Sequence, residues 1–190
     1  NQWVAPSNPY YAKGLPIPKR DVARAKQLLA QAGVPNPSFT LMTPTTGDAQ
    51  KIAQVVQAMA KEAGFDVKIQ ATEFATSLNL ADKGDYDAYV LAWSGRADPD
   101  GNAFSFHGCK QPLNYSGYCS PQTDALLTEA RTQRDLAARR KAYEQVAAQV
   151  LKERPIVYLY HRNWLWAHSP KLSGMRQVPD GLLRVQGLKL

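Results

Sequence analysis

Residues Trp93-Ser94-Gly95-Arg96-Ala97-Asp98-Pro99-Asp100-Gly101-Asn102 gather an indole, a guanidinium, two carboxylates and an amide into one short stretch. A strand-like run, Tyr86 to Ala92, precedes them, and Gly95, Pro99 and Gly101 forbid its continuation. The stretch therefore reads as a rigid polar loop at the carboxyl end of a strand, where open α/β sheets bind ligands. A plain surface turn would draw on the same Gly, Pro and Asp residues. The spacing Asp98-x-Asp100-x-Asn102 resembles the start of a calcium loop, but Ala103 stands where that loop needs Gly and Cys109 where it needs Glu. Metal binding is not expected. Catalytic chemistry has little to stand on either. His107, His161 and His168 lack a neighbouring acid and nucleophile, and no Gly-x-Ser-x-Gly, HExxH or phosphate-cradling loop is present. His107 near Asp98 is the one pair that could serve a hydrolase, and His161 and His168 flank the aromatic run Trp164-Leu165-Trp166.

The elements that must hold this loop follow from periodicity. Pro6, Pro9, Pro16 and Pro18 make residues 1–20 an extended lead-in. Asp21 can cap a helix to about Ala32, with Val22, Ala25, Leu28, Leu29 and Ala32 on one face and Gly33 as its stop. Phe39 to Thr43 reads as a short strand ending at Pro44. A helix over 48–63 repeats Ile52, Val55, Val56, Met59 and Ala63 and stops at Gly64. Phe65, Val67, Ile69 and Ala71 alternate with polar residues as a half-buried strand, and a helix over 75–82 leads to a strand over 86–93. Beyond the loop the pattern turns helical, over 121–134 and 136–153, with Tyr143, Val146, Val150 and Leu151 inward. Extended pieces follow at 156–160 and 164–167, and the apolar tail from Pro179 to Leu188 is too short to form a layer alone. Alternating strands and helices indicate an α/β layered domain.

A chain of 190 residues suits one ordinary domain. Its 44% apolar and 21% charged residues are globular rather than disordered. No apolar run approaches the roughly 18 residues of a membrane span, and no secretion signal is visible. An opening of Asn1-Gln2-Trp3 suggests a processed or excised piece. The net charge of +7 raises a nucleic-acid or membrane partner. Yet the basic residues are dispersed, and the run Arg139-Arg140-Lys141 beside Asp135 and Glu144 reads as a solvated helix face. No nucleic-acid partner is expected. Cys109 and Cys119 enclose a loop with Pro112, Asn114 and Gly117 that suits a local disulfide in an oxidising compartment; two reduced buried thiols are the alternative.

Four landmarks stand in a telling order. They are Asp21-x-x-x-Ala25-Lys26-x-Leu28-Leu29-x-x-Ala32-Gly33, the Trp93 to Asp100 stretch, Asn114-Tyr115-Ser116-Gly117-Tyr118-Cys119, and Arg154-Pro155-x-x-x-Leu159-Tyr160. Together they resemble the carboxyl-terminal lobe of family 5 extracytoplasmic solute-binding proteins, the peptide receptors of ABC importers. The resemblance spans nearly the whole chain. It implies a three-layer α/β lobe of the type II periplasmic-binding-protein fold, a mixed sheet flanked by helices, within a two-lobed parent that closes on its ligand. Residues 21–155 would form the ligand-binding lobe. Residues 156–190 would carry hinge-proximal strands and a tail that packs on an amino-terminal lobe absent from this chain. A disulfide in the corresponding loop of dipeptide receptors fits Cys109 and Cys119.

The resemblance also implies site residues, and here the chain departs from the dipeptide pattern. Those receptors place an acid three positions after the residue matching Trp93, to bind the ligand's ammonium; Arg96 stands there. They place an arginine for the ligand carboxylate near Pro44 to Gly47, where this chain has Thr45 and Thr46. Either Arg96 takes a ligand carboxylate while Asp98 takes an amine, or the ligand is not a free dipeptide. Arg96 could instead pair with Asp98 or Asp100 and stiffen the loop. Trp93 and Phe74, the latter at a pocket-lining tryptophan position, would wall the site or belong to the core. The ligand-facing set is therefore Thr45, Thr46, Phe74, Trp93, Gly95, Arg96 and Asp98, without cofactor or catalytic group. The expected function is a periplasmic or lipid-anchored receptor lobe delivering a small peptide or similar zwitterion to an ABC permease. The rivals are a hydrolase or transferase domain lacking its partner domain, and an interaction module working through the basic helix 136–153.

Overall fold

The computed structural model describes residues 1–178 and 182–190, and the chain divides into two compact units. One comprises residues 18–93. The other comprises 1–17 with 94–190. The part of the tail at Pro179, Asp180 and Gly181 lies outside the described residues.

In the 18–93 unit, α1 (Val22–Gln31) starts where the Asp21 carboxylate accepts the Arg24 N–H at 2.8 Å. It is followed by β1 (Ser38–Pro44), α2 (Gly47–Ala63), β2 (Asp66–Thr72), α3 (Phe74–Lys83) and β3 (Ala88–Tyr89). Gly64 ends α2 with φ 106°, and a side chain there would press on the Pro35 carbonyl at 3.0 Å, so glycine is required twice over. The strands pair in the order β2-β1-β3, parallel throughout, with Leu41 opposite both Ile69 and Ala88. No antiparallel strand joins this sheet among the described residues; an antiparallel bridge, Ser173 to Lys189, occurs in the other unit. The connections β1-α2-β2 and β2-α3-β3 run in opposite directions across the sheet. With right-handed crossovers they place α2 and α3 on opposite faces, which makes three layers. Leu41, Ala53 and Val67 form the buried centre, with Phe39, Val56, Phe65 and Ile69 around them.

Several expectations need correction here. Val55 and Met59 of α2 are exposed, and the inward face runs through Ile52, Ala53, Val56, Ala60 and Ala63. Leu28 and Ala32 of α1 are likewise exposed, so that helix rests on Val22, Ala25 and Leu29 alone. At the end of β2, Thr72 is buried rather than Ala71. The strand read over 86–93 keeps its ladder at Ala88–Tyr89, extended by the Val90 N–H donating to Met42 at 2.9 Å. Aromatic and apolar composition gives that run its strand signal, but a strand extends only as far as a neighbour pairs with it.

The second unit is helical. It contains α4 (Asp100–His107), α5 (Pro121–Thr132) and α6 (Leu136–Glu153). Leu127, Ala130, Ala142, Tyr143, Val146, Ala147 and Val150 interlock in its core, while Leu151 is half-buried. The opening segment has no helix or strand, yet Trp3, Val4 and Ala12 belong to this core. The Gln2 side chain closes it, donating to the Ala12 carbonyl at 2.9 Å and accepting its N–H at 3.0 Å. Residues 156–160 and 164–167 enter no ladder. They leave Val157, Leu159, Tyr160, Trp164 and Leu165 exposed. Cys109 and Cys119 are disulfide-bonded, with Cα atoms 4.5 Å apart. Asn114 spans the enclosed loop, donating to the carbonyls of Gly108 and Tyr118 at 2.9 and 2.6 Å.

Candidate ligand-binding site

Strand order in the 18–93 unit marks the sheet edge at which open α/β sheets bind ligands. The chain leaves β1 toward β2 on one side and enters β3 on the other, so the sheet's topological switch lies between β1 and β3. Open α/β sheets bind ligands at the carboxyl ends of the strands flanking such a switch. Thr45 and Thr46 follow β1 directly and are exposed; Trp93 lies beyond β3, 40% exposed. Thr46 is the N-cap of α2 yet makes no side-chain capping bond, and the Thr45 N–H donates to the Thr72 carbonyl at 3.1 Å. Phe74 opens α3 after β2 and is 49% exposed. Neither aromatic is core. Glu73 ahead of it caps α3 by accepting the Ala75 and Thr76 N–H groups, which hold its carboxylate below the usual range.

Gly95, Arg96 and Asp98 fall in the other unit. Gly95 has φ 71°, a turn that favours glycine. Asn102, buried in α4, accepts the Arg96 N–H at 2.6 Å and donates to the Arg96 carbonyl at 2.7 Å. The Arg96 guanidinium is exposed, with Nη1 donating to Ser94 Oγ and the Gly95 carbonyl at 3.0 Å each. Asp98 faces Arg139 of α6 in a two-pronged pair, both contacts 2.8 Å, and also accepts the Asp100 N–H at 2.9 Å. The Arg139 hydrogen bonds hold Asp98 below the ordinary carboxylate range. Asp100 pairs with Arg131 at 3.0 Å. Arg139 is therefore not part of a solvated face: its guanidinium lies over Tyr10 and Tyr143, 5.3 and 5.5 Å from the ring centres. Arg140 and Lys141 are exposed as expected.

His107 sits in the core. It is fully buried, its Nε2 is 2.6 Å from the Tyr158 hydroxyl, and Trp3 packs on its ring. Burial pulls its pKa down to about 4, so it is neutral near pH 7. His161 is half-buried and His168 is exposed with Nδ1 2.9 Å from the Ser169 carbonyl. Among the described residues no cluster of His, Cys, Asp or Glu is arranged to hold a metal.

With the switch-point loops in view, comparison with known proteins is decisive. The model for "Bacterial extracellular solute-binding proteins, family 5 Middle" matches residues 1–113. The chain belongs to this family. The oligopeptide-binding protein AppA of Bacillus subtilis is 30% identical, over 89% of this chain and 35% of its own length. A probable di/tripeptide-binding protein of Pseudomonas aeruginosa is 28% identical, over 94% of this chain and 34% of its own. The structure of the periplasmic binding protein DppA from Helicobacter pylori, in complex with the peptide STSA, superposes with a TM-score of 0.74. It is 28% identical and covers 81% of this chain and 31% of that one. This family 5 chain thus spans about a third of the length of the relatives it matches, and the structural likeness bears out the α/β binding-protein fold.

Gly101 and Asn102 belong to the loop as read from the sequence, whereas Arg139 joins it only in three dimensions. Asn102 stands six residues beyond Arg96, and its bonding to that residue is visible only in three dimensions.

Proposed function

We propose that this chain is the carboxyl-terminal portion of the ligand-binding component of an ABC importer. It works outside the cytoplasmic membrane, periplasmic or lipid-anchored, and hands a peptide or similar zwitterion to a membrane permease. It catalyses no reaction. The observation that supports this reading is the β2-β1-β3 order in a family 5 chain, since Thr45 and Thr46 follow β1 and Trp93 follows β3, the strands that flank the switch point. Related proteins named for oligopeptide and di/tripeptide binding support the ligand class.

Within this reading Trp93 and Phe74 supply apolar wall, and Thr45 and Thr46 supply hydroxyls and backbone groups for a peptide. Arg96 takes the ligand carboxylate, since its guanidinium is exposed on a fixed loop. Asp98 serves the loop rather than the ligand's amine, because Arg139 already occupies both of its oxygens. The test is mass spectrometry of ligand released from the full-length protein purified without additions, joined to thermal shift with a mixture of short peptides. A co-purified peptide, or a raised Tm with the mixture, is the expected result. A co-purified molecule lacking peptide bonds, together with no shift, would overturn the reading.

A further inference from the structure

Asn102 is 2% exposed, and both ends of its amide are spent on one residue of the loop, the N–H and the carbonyl of Arg96. A third bond reaches the Asp98 carbonyl at 3.3 Å. Gln2 grips Ala12 in the same two-point manner inside the core. Such pairing fixes the backbone on both sides of the residue as a strand neighbour would, and burial makes the bonds hard to exchange for water.

Gly101, in the first turn of α4, acts on the side chain of the same arginine. A Cβ added there would lie 3.0 Å from Arg96 Cγ and 3.2 Å from Arg96 Cβ. Those atoms are the root of the side chain, so a methyl group at 101 would displace it by a few tenths of an ångström and redirect its far end. The far end is steadied by Ser94 and Gly95. Backbone, root and head of Arg96 are thus each constrained, a degree of pre-organisation that a merely solvated arginine does not need.

We propose that Gly101 and Asn102 are positioning residues that aim Arg96, and through it set a preference for ligands with a free carboxylate. The inference rests on the reading of Arg96 as the carboxylate contact. Gly101 has an ordinary helical backbone, so alanine there favours the helix and offers no stability reason for lost binding.

Calorimetry on the full-length protein with trialanine and with trialanine carboxamide separates the two claims. Arg96→Ala should weaken trialanine and leave the carboxamide unchanged. Gly101→Ala should keep or raise Tm, weaken trialanine about ten-fold, and have no effect in the Arg96→Ala background. Equal losses in both backgrounds, or no loss in the wild-type background, overturn the positioning role alone. If Arg96→Ala leaves trialanine binding intact, the carboxylate reading falls and this inference with it. Amide exchange in the 190-residue chain supplies a readout free of ligand. Asn102→Ala, which removes the acceptor of the Arg96 N–H, should speed exchange at Arg96 about ten-fold while α5 and α6 stay protected. Unchanged exchange at Arg96 overturns it.

Discussion

His107 shows how one buried side chain makes stability depend on pH. Burial lowers its pKa from 6.5 to about 4 in the folded chain, so the unfolded chain takes up the proton first as pH falls. Its contribution is complete above about pH 6.5 and is lost on the way down to pH 4. The loss amounts to at most about 3 kcal/mol. Denaturant unfolding of wild type and His107→Phe at pH 7 and pH 4.5 checks this: the variant should lose markedly less stability between the two. Asp98 acts in a lower window. Arg139 depresses its folded pKa, so its stabilisation holds above the ordinary carboxylate range and disappears below about pH 4. Because Asp98 is more than half exposed, Asp98→Asn should cost only about 1 kcal/mol in an unfolding titration at pH 7. At this scale the sequence named Arg96 and Asp98 but missed Arg139, 41 residues away from its acid. Helical spacing placed Arg139 beside other basic residues, and nothing local in sequence links α6 to the loop ahead of α4.

Helices whose apolar stripe faces a core were the readable elements. The expected bounds of α6, 136–153, agree with the structure, because Tyr143, Val146 and Val150 repeat at helical spacing and Asp135 caps the first turn at 2.8 Å. By contrast α4 escaped notice. Gly101, Asn102 and Ser105 interrupt its eight residues, so it shows no apolar face and owes its existence to tertiary contacts. The segments at 156–160 and 164–167 carry strand-type composition and stay unpaired here, since composition cannot provide a neighbouring strand. Two outcomes follow for the elements. Leu127→Ala, fully buried between α5 and α6, should cost about 2–5 kcal/mol in denaturant unfolding. Reducing the Cys109–Cys119 bridge, which closes a loop with a separation of 10 residues, should cost about 2–3 kcal/mol; a Tm unchanged by dithiothreitol would contradict that.

Charge is distributed unevenly over the whole molecule. Residues 18–93 hold eight basic and eight acidic side chains, whereas 1–17 with 94–190 hold fifteen basic and eight acidic, so the full +7 belongs to the second unit. That unit also exposes Val157, Leu159, Tyr160, Trp164, Leu165, Leu182, Leu183 and Val185. Exposed apolar side chains in such number are what surface that meets other protein ordinarily carries. The chain spans about a third of the length of its relatives, and under the proposed function most of the enclosure for a ligand would lie outside it. The 190-residue chain alone should bind short peptides with a Kd weaker than about 1 mM, and a micromolar Kd by calorimetry would contradict the two-lobed account. The most direct measurement is hydrogen–deuterium exchange of the full-length protein with and without saturating peptide. Slowed exchange at residues 45–47 and 90–99 is the result predicted. Bound peptide that leaves both segments unchanged would contradict the assignment of the switch-point edge and the Arg96 loop to ligand recognition.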